Sequence, residues 1–161
     1  MLHRHSLLTA LLFSFACAPA AAPSHSPGTA DLTHVPVLDT AGKTTNLAEL
    51  AHGRVTVASL WAPWCEGCRE EEPALLRLHQ LSLARHDFVL VSIAIDAKAE
   101  EIASVQLPYP RLVDTGAFAE VGRRRVPTTF VIDASGRTVY EGGALDRAAL
   151  DALTKALHRE N

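Results

Sequence analysis

The chain has 161 residues, 48% of them hydrophobic, and this composition suffices for one compact domain with a buried core. Its 15 Lys and Arg against 18 Asp and Glu give a formal net charge of −3, so a nucleic-acid partner is not expected. The sequence contains neither heptads nor a longer repeat, which excludes the fibrous and repeat classes.

The N-terminal segment differs in composition from the rest. Residues 1–16 combine a weakly positive start with a short apolar run over 7–15, which predicts a secretory signal peptide and is too short for a mature membrane-spanning helix. Residues 17–30 are rich in Ala, Pro and Ser and predict a flexible tether. We therefore expect an exported protein, periplasmic or anchored on the extracytoplasmic side of a membrane, whose folded domain spans 31–161.

Cys17 lies where the apolar run ends, and two hypotheses compete for it. The segment Ser14-Phe15-Ala16-Cys17 resembles the box that precedes the lipid-modified cysteine of a bacterial lipoprotein, although Leu is usual where Ser14 stands. We favour this lipidation. Alternatively, a signal peptidase cleaves after Ala20 and Cys17 is removed with the signal. Both events remove an odd third thiol from an oxidising compartment, so cysteine counting does not separate them.

The domain is predicted to open with a hairpin and a short helix. Residues 35–38 and 43–45 have the pattern of two short strands around a turn that uses Gly42. Asn46 then caps a short helix over 47–51. These elements precede the main sheet in the chain.

A βαβ unit follows. Residues 54–60 are rich in β-branched and apolar side chains and predict a buried central strand. A helix begins at the cysteine pair and contains Pro73, which should kink it without abolishing it. Residues 88–95 predict the next buried strand, which closes the unit.

The segments after the unit are short. A helix is predicted over 98–106, a short extended piece over 111–114 and a helical turn or two over 116–122. A β-hairpin follows, with its strands at 126–133 and 137–140. Asp146 caps a terminal helix with one apolar face, formed by Ala149, Leu150, Leu153 and Leu157. This order of elements predicts a mixed sheet with helices on both faces.

Cys65 and Cys68 form a C-x-x-C motif at the predicted start of a helix. The free N–H groups and positive dipole of a helix N-terminus favour the thiolate of the first cysteine, and the thiolate is the species that attacks disulfides. Cys65 is therefore the predicted nucleophile, and Cys68, one turn along, is the predicted resolving thiol. Trp61 and Trp64 can shield this dithiol and dock a client; alternatively, Trp61 fills the core.

A lone C-x-x-C also fits half of a zinc site or a purely structural disulfide. Zinc needs about four ligands, but no second cysteine pair follows, and His52, His79 and His86 are scattered singly. No metal site is therefore predicted.

The segment Trp61–Pro73 has the sequence W-A-P-W-C-E-G-C-R-E-E-E-P, and Val126–Asp133 has the sequence V-P-T-T-F-V-I-D. Together with D-T-A-G-K at 39–43, these motifs resemble the TlpA/ResA branch of thioredoxin-like proteins, the exported reductases associated with cytochrome c maturation. The resemblance covers nearly all of 31–158. It implies an α/β thioredoxin-like fold, with a mixed central sheet, helices on both faces and an extra N-terminal β-hairpin.

The resemblance also implies roles for residues near the dithiol. Pro127 matches a cis-proline that faces the cysteines, where the adjacent backbone pairs with an incoming client strand. Val126, Thr128 and Trp64 are then the expected substrate-binding residues.

Proton handling departs from that of cytosolic thioredoxin, whose buried Asp corresponds to Ser59 here. Glu71 matches the glutamate of ResA-like reductases in the pattern C-x-x-C-x-x-E-x-P, which implies that it helps to deprotonate Cys68. Alternatively, Glu70, Glu71 and Glu72 form a solvated acidic first turn that is favourable against the helix dipole.

These features predict an extracytoplasmic thiol:disulfide oxidoreductase that takes electrons from a membrane thiol donor and reduces client disulfides. The Cys65–Cys68 disulfide is its redox centre, no bound cofactor is expected, and a lipid on Cys17 is the only expected membrane contact. Glu66 opposes thiolate formation at Cys65 and so favours a reducing protein. The alternatives are an oxidase or isomerase and a non-catalytic copper-binding assembly protein, for which His158 is the late candidate ligand.

Overall fold

The computed structural model describes residues 31–122 and 125–159. The signal peptide, the tether and the modification of Cys17 lie outside the described residues and stay predictions. Within the described ranges no helix is both long and apolar enough to cross a membrane.

The described chain contains seven strands and five α-helices, preceded by a 3-10 helix over Leu32–His34. The strands are β1 (Val37–Asp39), β2 (Thr44–Thr45), β3 (Val55–Trp61), β4 (Phe88–Ala94), β5 (Arg111–Asp114), β6 (Thr128–Ile132) and β7 (Thr138–Gly142). The α-helices are α1 (Leu47–Ala51), α2 (Glu66–Arg85), α3 (Ala99–Ala103), α4 (Ala117–Glu120) and α5 (Arg147–Arg159).

All seven strands form one mixed sheet in the order β2-β1-β5-β4-β3-β6-β7. The central strands β3, β4 and β5 are parallel, and the remaining pairings are antiparallel. Strand β3 is paired on both edges, with β4 and with β6, and its residues before Trp61 are buried. Strand β7 pairs with β6 through a register shift between Val131 and Ile132.

The predicted N-terminal hairpin is confirmed. Gly42 has φ 79°, and the Asp39 carboxylate accepts the backbone N–H groups of Ala41 and Lys43, each at 2.9 Å. The segment 111–114, expected only as a short extended piece, is strand β5. It lies between β1 and β4 and therefore joins the hairpin to the central sheet.

Helices cover both faces of the sheet, as predicted. Helices α2 and α5 pack on the face that carries Val57 and Leu90. The 3-10 helix, α1 and α4 pack on the opposite face, which carries Leu60, Ile93 and Phe130. Helix α2 begins directly after Cys65 and continues through Pro73.

The predicted buried face of α5 is wrong at one position. Leu150 is 42% exposed, whereas Ala149, Leu153, Ala156 and Leu157 are buried. Successive helical residues are rotated by about 100°, so Leu150 turns away from the face that its neighbour Ala149 presents to the sheet. The buried face of α5 is therefore the side that contacts the sheet, and a hydrophobic residue on another side, such as Leu150, stays exposed.

Asp133 holds the turn between β6 and β7 and is 6% exposed. Its carboxylate accepts the N–H groups of Ser135 at 3.1 Å and Arg137 at 3.0 Å, and it pairs with the Arg137 guanidinium at 2.9 Å. Burial raises the pKa of Asp133, but a hydrogen bond from the Ser135 hydroxyl, the hydrogen bonds from Arg137 and the Arg137 charge lower it by more, so the net pKa lies below its ordinary value.

Replacing Asp133 by Ala removes these bonds, and we expect the free energy of unfolding near pH 7 to fall by about 2 kcal/mol. Because the folded-state pKa is lowered, the carboxylate stabilises the fold above the ordinary pKa of 3.8 and ceases to do so as the pH falls through the folded-state value. Denaturant unfolding near pH 7 and near pH 3 measures the difference. The control Asp151→Ala, on the exposed side of α5, should change stability by less than about 0.5 kcal/mol. A loss for Asp133→Ala of equal size at both pH values would contradict this expectation.

Candidate active site

Cys65 and Cys68 are joined in a disulfide at the start of α2, with their Cα atoms 5.3 Å apart. Cys65 caps the helix, and its Sγ accepts the backbone N–H of Cys68 at 3.1 Å. The exposed fractions of the two residues are nearly equal, 6% and 8%. Position at the positive end of the helix, and not exposure, therefore distinguishes Cys65 as the sulfur whose thiolate is favoured.

The loop before β6 lies against the dithiol. The Val126–Pro127 peptide bond is cis, as expected. A Cβ built on Gly67, between the two cysteines, would lie 3.8 Å from Cδ of Pro127. Val126 packs against the core cluster that contains both cysteines. The structure therefore brings together the two motifs that are distant in the sequence.

Trp64 and Thr128, two of the expected substrate-binding residues, differ in exposure from each other and from Trp61. Trp64 is 63% exposed and lies directly before Cys65 in the chain. Thr128 is buried, and its hydroxyl donates to the carbonyl of Arg125 at 2.8 Å, so its side chain stabilises the loop from within. Trp61 is half-buried and packs on the core, which matches the alternative of a core role.

Glu71 is buried, with 7% of its surface exposed, whereas Glu70 is exposed and Glu72 is half-buried. Its Oε1 accepts the backbone N–H of Leu145 at 2.6 Å and the hydroxyl of Thr129 at 3.4 Å. Burial raises the pKa of Glu71, and the two hydrogen bonds only partly offset this. The alternative of a wholly solvated acidic turn is therefore wrong for Glu71.

Three hydroxyl side chains lie side by side beneath α2. Ser59 in β3 pairs with Ser92 in β4 and with Thr129 in β6, and residues paired in this way direct their side chains to the same face. All three residues are almost fully buried. Thr129 contacts Glu71, while Ser59 and Ser92 line a small cavity that extends to Cys68.

Sequence reasoning missed Ser92, Thr129 and Leu145 at this site. Ser92 and Thr129 could have been found from the sequence, because β3, β4 and β6 are apolar strands that each contain a hydroxyl residue. These hydroxyl residues become neighbours when the strands pair. Leu145 contributes through its backbone N–H, so its side chain carries no signal.

The histidines occupy separate structural positions. His52 and His86 end α1 and α2 in left-handed conformations. His79 is buried, and its ring meets that of Tyr109 edge-on with centroids 5.7 Å apart. Within the described ranges no group of three or more His, Cys, Asp or Glu residues is placed to hold a metal ion.

The Redoxin family profile matches residues 18–149. The chain belongs to the Redoxin family. It is 34% identical over 114 residues to the thiol:disulfide interchange protein HelX of Rhodobacter capsulatus, a match that covers 68% of this chain and 62% of HelX. It is 29% identical over 92 residues to the thioredoxin-like protein YneN of Bacillus subtilis, which covers 53% of this chain and 54% of YneN. The chain thus spans less than two thirds of the length of either relative.

A solved structure extends the comparison to the fold. The crystal structure of a thioredoxin family thiol:disulfide interchange protein from Chlorobium tepidum superimposes with a TM-score of 0.57 at 26% identity, covering 81% of this chain and 99% of that one. The thioredoxin-like fold is therefore confirmed. Together, this structure and the relatives above also confirm the resemblance to TlpA/ResA-like proteins.

Glu71→Gln tests the burial of this carboxylate independently of any reaction, since Gln keeps an oxygen for the Leu145 N–H but has no charge to bury. The folded-state pKa of Glu71 is raised above its ordinary value of 4.5, so the folded chain binds this proton more tightly than the unfolded chain. The free energy of unfolding of the wild type should therefore decrease as the pH rises from 4.5 to the folded-state pKa of Glu71. Over the same pH range, the stability of Glu71→Gln relative to wild type should increase.

Denaturant unfolding between about pH 4 and about pH 8 checks this expectation. Glu70→Gln, which removes the same charge from the exposed side of α2, is the matched control and should keep a constant difference from wild type. A Glu71→Gln variant that loses stability relative to wild type as the pH rises would contradict the assignment.

Proposed function

We propose that this chain is a thiol:disulfide oxidoreductase whose Cys65/Cys68 dithiol exchanges with disulfides of client proteins. The observation that carries the proposal is the position of the dithiol at the N-terminus of α2, beside the cis peptide bond of Pro127 and the exposed ring of Trp64. This arrangement favours a reactive thiolate next to a surface that a client strand can reach. The names of HelX and YneN support the same activity.

In the reducing direction, the Cys65 thiolate attacks one sulfur of the client disulfide, and the other client sulfur leaves as a thiolate that takes a proton from solvent. Cys68 then loses its proton and attacks Sγ of Cys65. The Cys65–Cys68 disulfide forms, the second client sulfur leaves, and two electrons have passed to the client. Glu71, a buried carboxylate with a raised pKa one turn beyond Cys68, assists the deprotonation of Cys68.

The proposed direction of electron flow is towards the client. Glu66 is exposed directly after Cys65, where its charge opposes thiolate formation and so disfavours a strongly oxidising couple. A reductase must itself be reduced again after each turnover, and a membrane thiol donor is the partner that fits an exported protein. The disulfide is the redox centre, and no other cofactor is proposed.

The proposed location is extracytoplasmic. It is supported by the signal-like composition of residues 1–16, with Cys17 either lipidated, as the only membrane contact, or removed with the signal. The resemblance to TlpA/ResA-like reductases supports a role in cytochrome c maturation, in which the client is an apocytochrome c disulfide.

The midpoint potential of the Cys65/Cys68 couple tests the direction. We expect a value near that of thioredoxin, roughly −270 mV, when the protein is equilibrated against dithiothreitol buffers. A value near roughly −120 mV would identify an oxidant instead. If the dithiol does not cycle between its two states, the proposed activity is wrong, and tight copper binding by the reduced protein would then support an assembly role.

Substitution of each cysteine tests the order of attack. In Cys68→Ser the mixed disulfide between Cys65 and a client cannot be resolved, so a covalent complex should accumulate on non-reducing gels. Cys65→Ser is the matched control and should trap at least tenfold less complex, because Cys68 lacks the helix-cap position. Equal trapping by the two variants would show that Cys65 is not the preferred nucleophile.

A further inference from the structure

A cavity of about 50 Å³ lies between the N-terminal part of α2 and the sheet. Cys68 and Glu72 of the helix line it, together with Ser59 and Ser92 of the strands. One water molecule needs roughly 15 Å³ of such volume, so the cavity has room for about three. Its lining residues include hydroxyl, thiol and carboxyl side chains, which can form hydrogen bonds with water.

The cavity distinguishes Glu72 from its neighbour Glu71. Cys68 and Glu72 are four residues apart, lie on the same side of α2 and both border the cavity. Glu71 instead directs its carboxylate to the Leu145 N–H and the Thr129 hydroxyl, and it is not among the described residues that line the cavity. Of these two neighbouring glutamates, Glu72 is therefore the one that borders the same cavity as Cys68.

We propose that water in this cavity transfers the proton of Cys68 to Glu72 when Cys68 resolves the mixed disulfide, as a route additional to Glu71. The inference rests on the proposed oxidoreductase function and assigns a proton-transfer role to Glu72, which occupies the variable position between Glu71 and Pro73 in the C-x-x-C-x-x-E-x-P pattern.

The step balances without a further reactant. The Cys68 S–H bond breaks, and its proton passes along the cavity water to the Glu72 carboxylate. The electron pair left on Cys68 Sγ forms the S–S bond with Cys65, while the S–S bond to the client breaks and the client sulfur leaves with its electron pair. Glu72 is half-buried, so it can return the proton to solvent afterwards.

Two other ionisable side chains line the cavity, Arg69 from α2 and Tyr109 from the segment before β5. Burial, and then the negative charges of Glu72 and Glu71, raise the pKa of Tyr109 to about 12, so the phenol stays protonated at neutral pH. Arg69 has no proton-accepting atom. Among the described residues that line the cavity, Glu72 therefore carries the group suited to accept the Cys68 proton.

A reaction in two phases separates the roles of the two cysteines. The reduced protein, with Cys17→Ser in every variant so that only Cys65 and Cys68 react, is mixed in a stopped-flow instrument with an aromatic disulfide whose released thiolate absorbs visible light. The first phase reports attack by Cys65, and the second reports attack by Cys68 on the resulting mixed disulfide. We expect Glu72→Gln to slow the second phase about tenfold near pH 7 and to leave the first phase within about twofold of wild type.

Two variants and the pH profile separate proton transfer from a structural effect. Glu70→Gln removes an equal charge from the exposed side of α2 and should leave both phases within about twofold of wild type. Glu72→Asp keeps the carboxylate and should recover most of the second-phase rate. In Glu72→Gln this rate should depend more steeply on hydroxide concentration than in wild type, because solvent must then deprotonate Cys68 directly.

An unchanged second phase in Glu72→Gln overturns the inference. Equal slowing by Glu70→Gln also overturns it, because the effect would then come from the charge of the helix and not from the cavity. A wild-type protein without any first phase would instead overturn the proposed oxidoreductase function, so the two failures are distinguishable.

Discussion

The pairing of strand β3 on both edges determines the geometry of the site. A slip of β3 would break its ladders with β4 and β6 together, so its register is strongly fixed. The strand ends at Trp61, just before Cys65 caps α2, and its Leu60 pairs with Thr128, the first residue of β6. Pro127 therefore meets the dithiol where β3 ends and β6 begins, although the two motifs lie far apart in the sequence.

The three consecutive glutamates illustrate how helix rotation separates identical residues. Successive positions differ by about 100°, so Glu70 is directed to solvent, Glu71 towards the β6 side of the sheet and Glu72 towards the cavity below Cys68. Burial and hydrogen bonding then give the three carboxyl groups different environments. The electrostatic environment of Cys68 thus depends on which side of α2 each carboxylate occupies, more than on the number of acidic residues in the first turns of the helix.

Elements governed by nearby residues could be predicted from the sequence. The hairpin at Gly42, the Asn46 cap and the helix start at Cys65 each depend on a few neighbouring positions, and all are confirmed. The burial of Glu71 could not be read from the E-E-E run, because it depends on Leu145, far along the chain. The same reason explains why the sequence predicts only a short extended piece at 111–114. This segment becomes strand β5 because β1 and β4 pair with it from either side.

The sheet has two outer edges, and each is poorly suited to accept another strand. On one side β2 is only two residues long, and on the other β7 joins β6 through a register shift. Short edge strands and bulges are devices that prevent edge-to-edge association. For the proposed function, these edges keep a partly unfolded client that exposes its own strands from extending the sheet. In that function its contact is directed to the end of the sheet that carries the dithiol, from which it can dissociate after exchange without starting an aggregate.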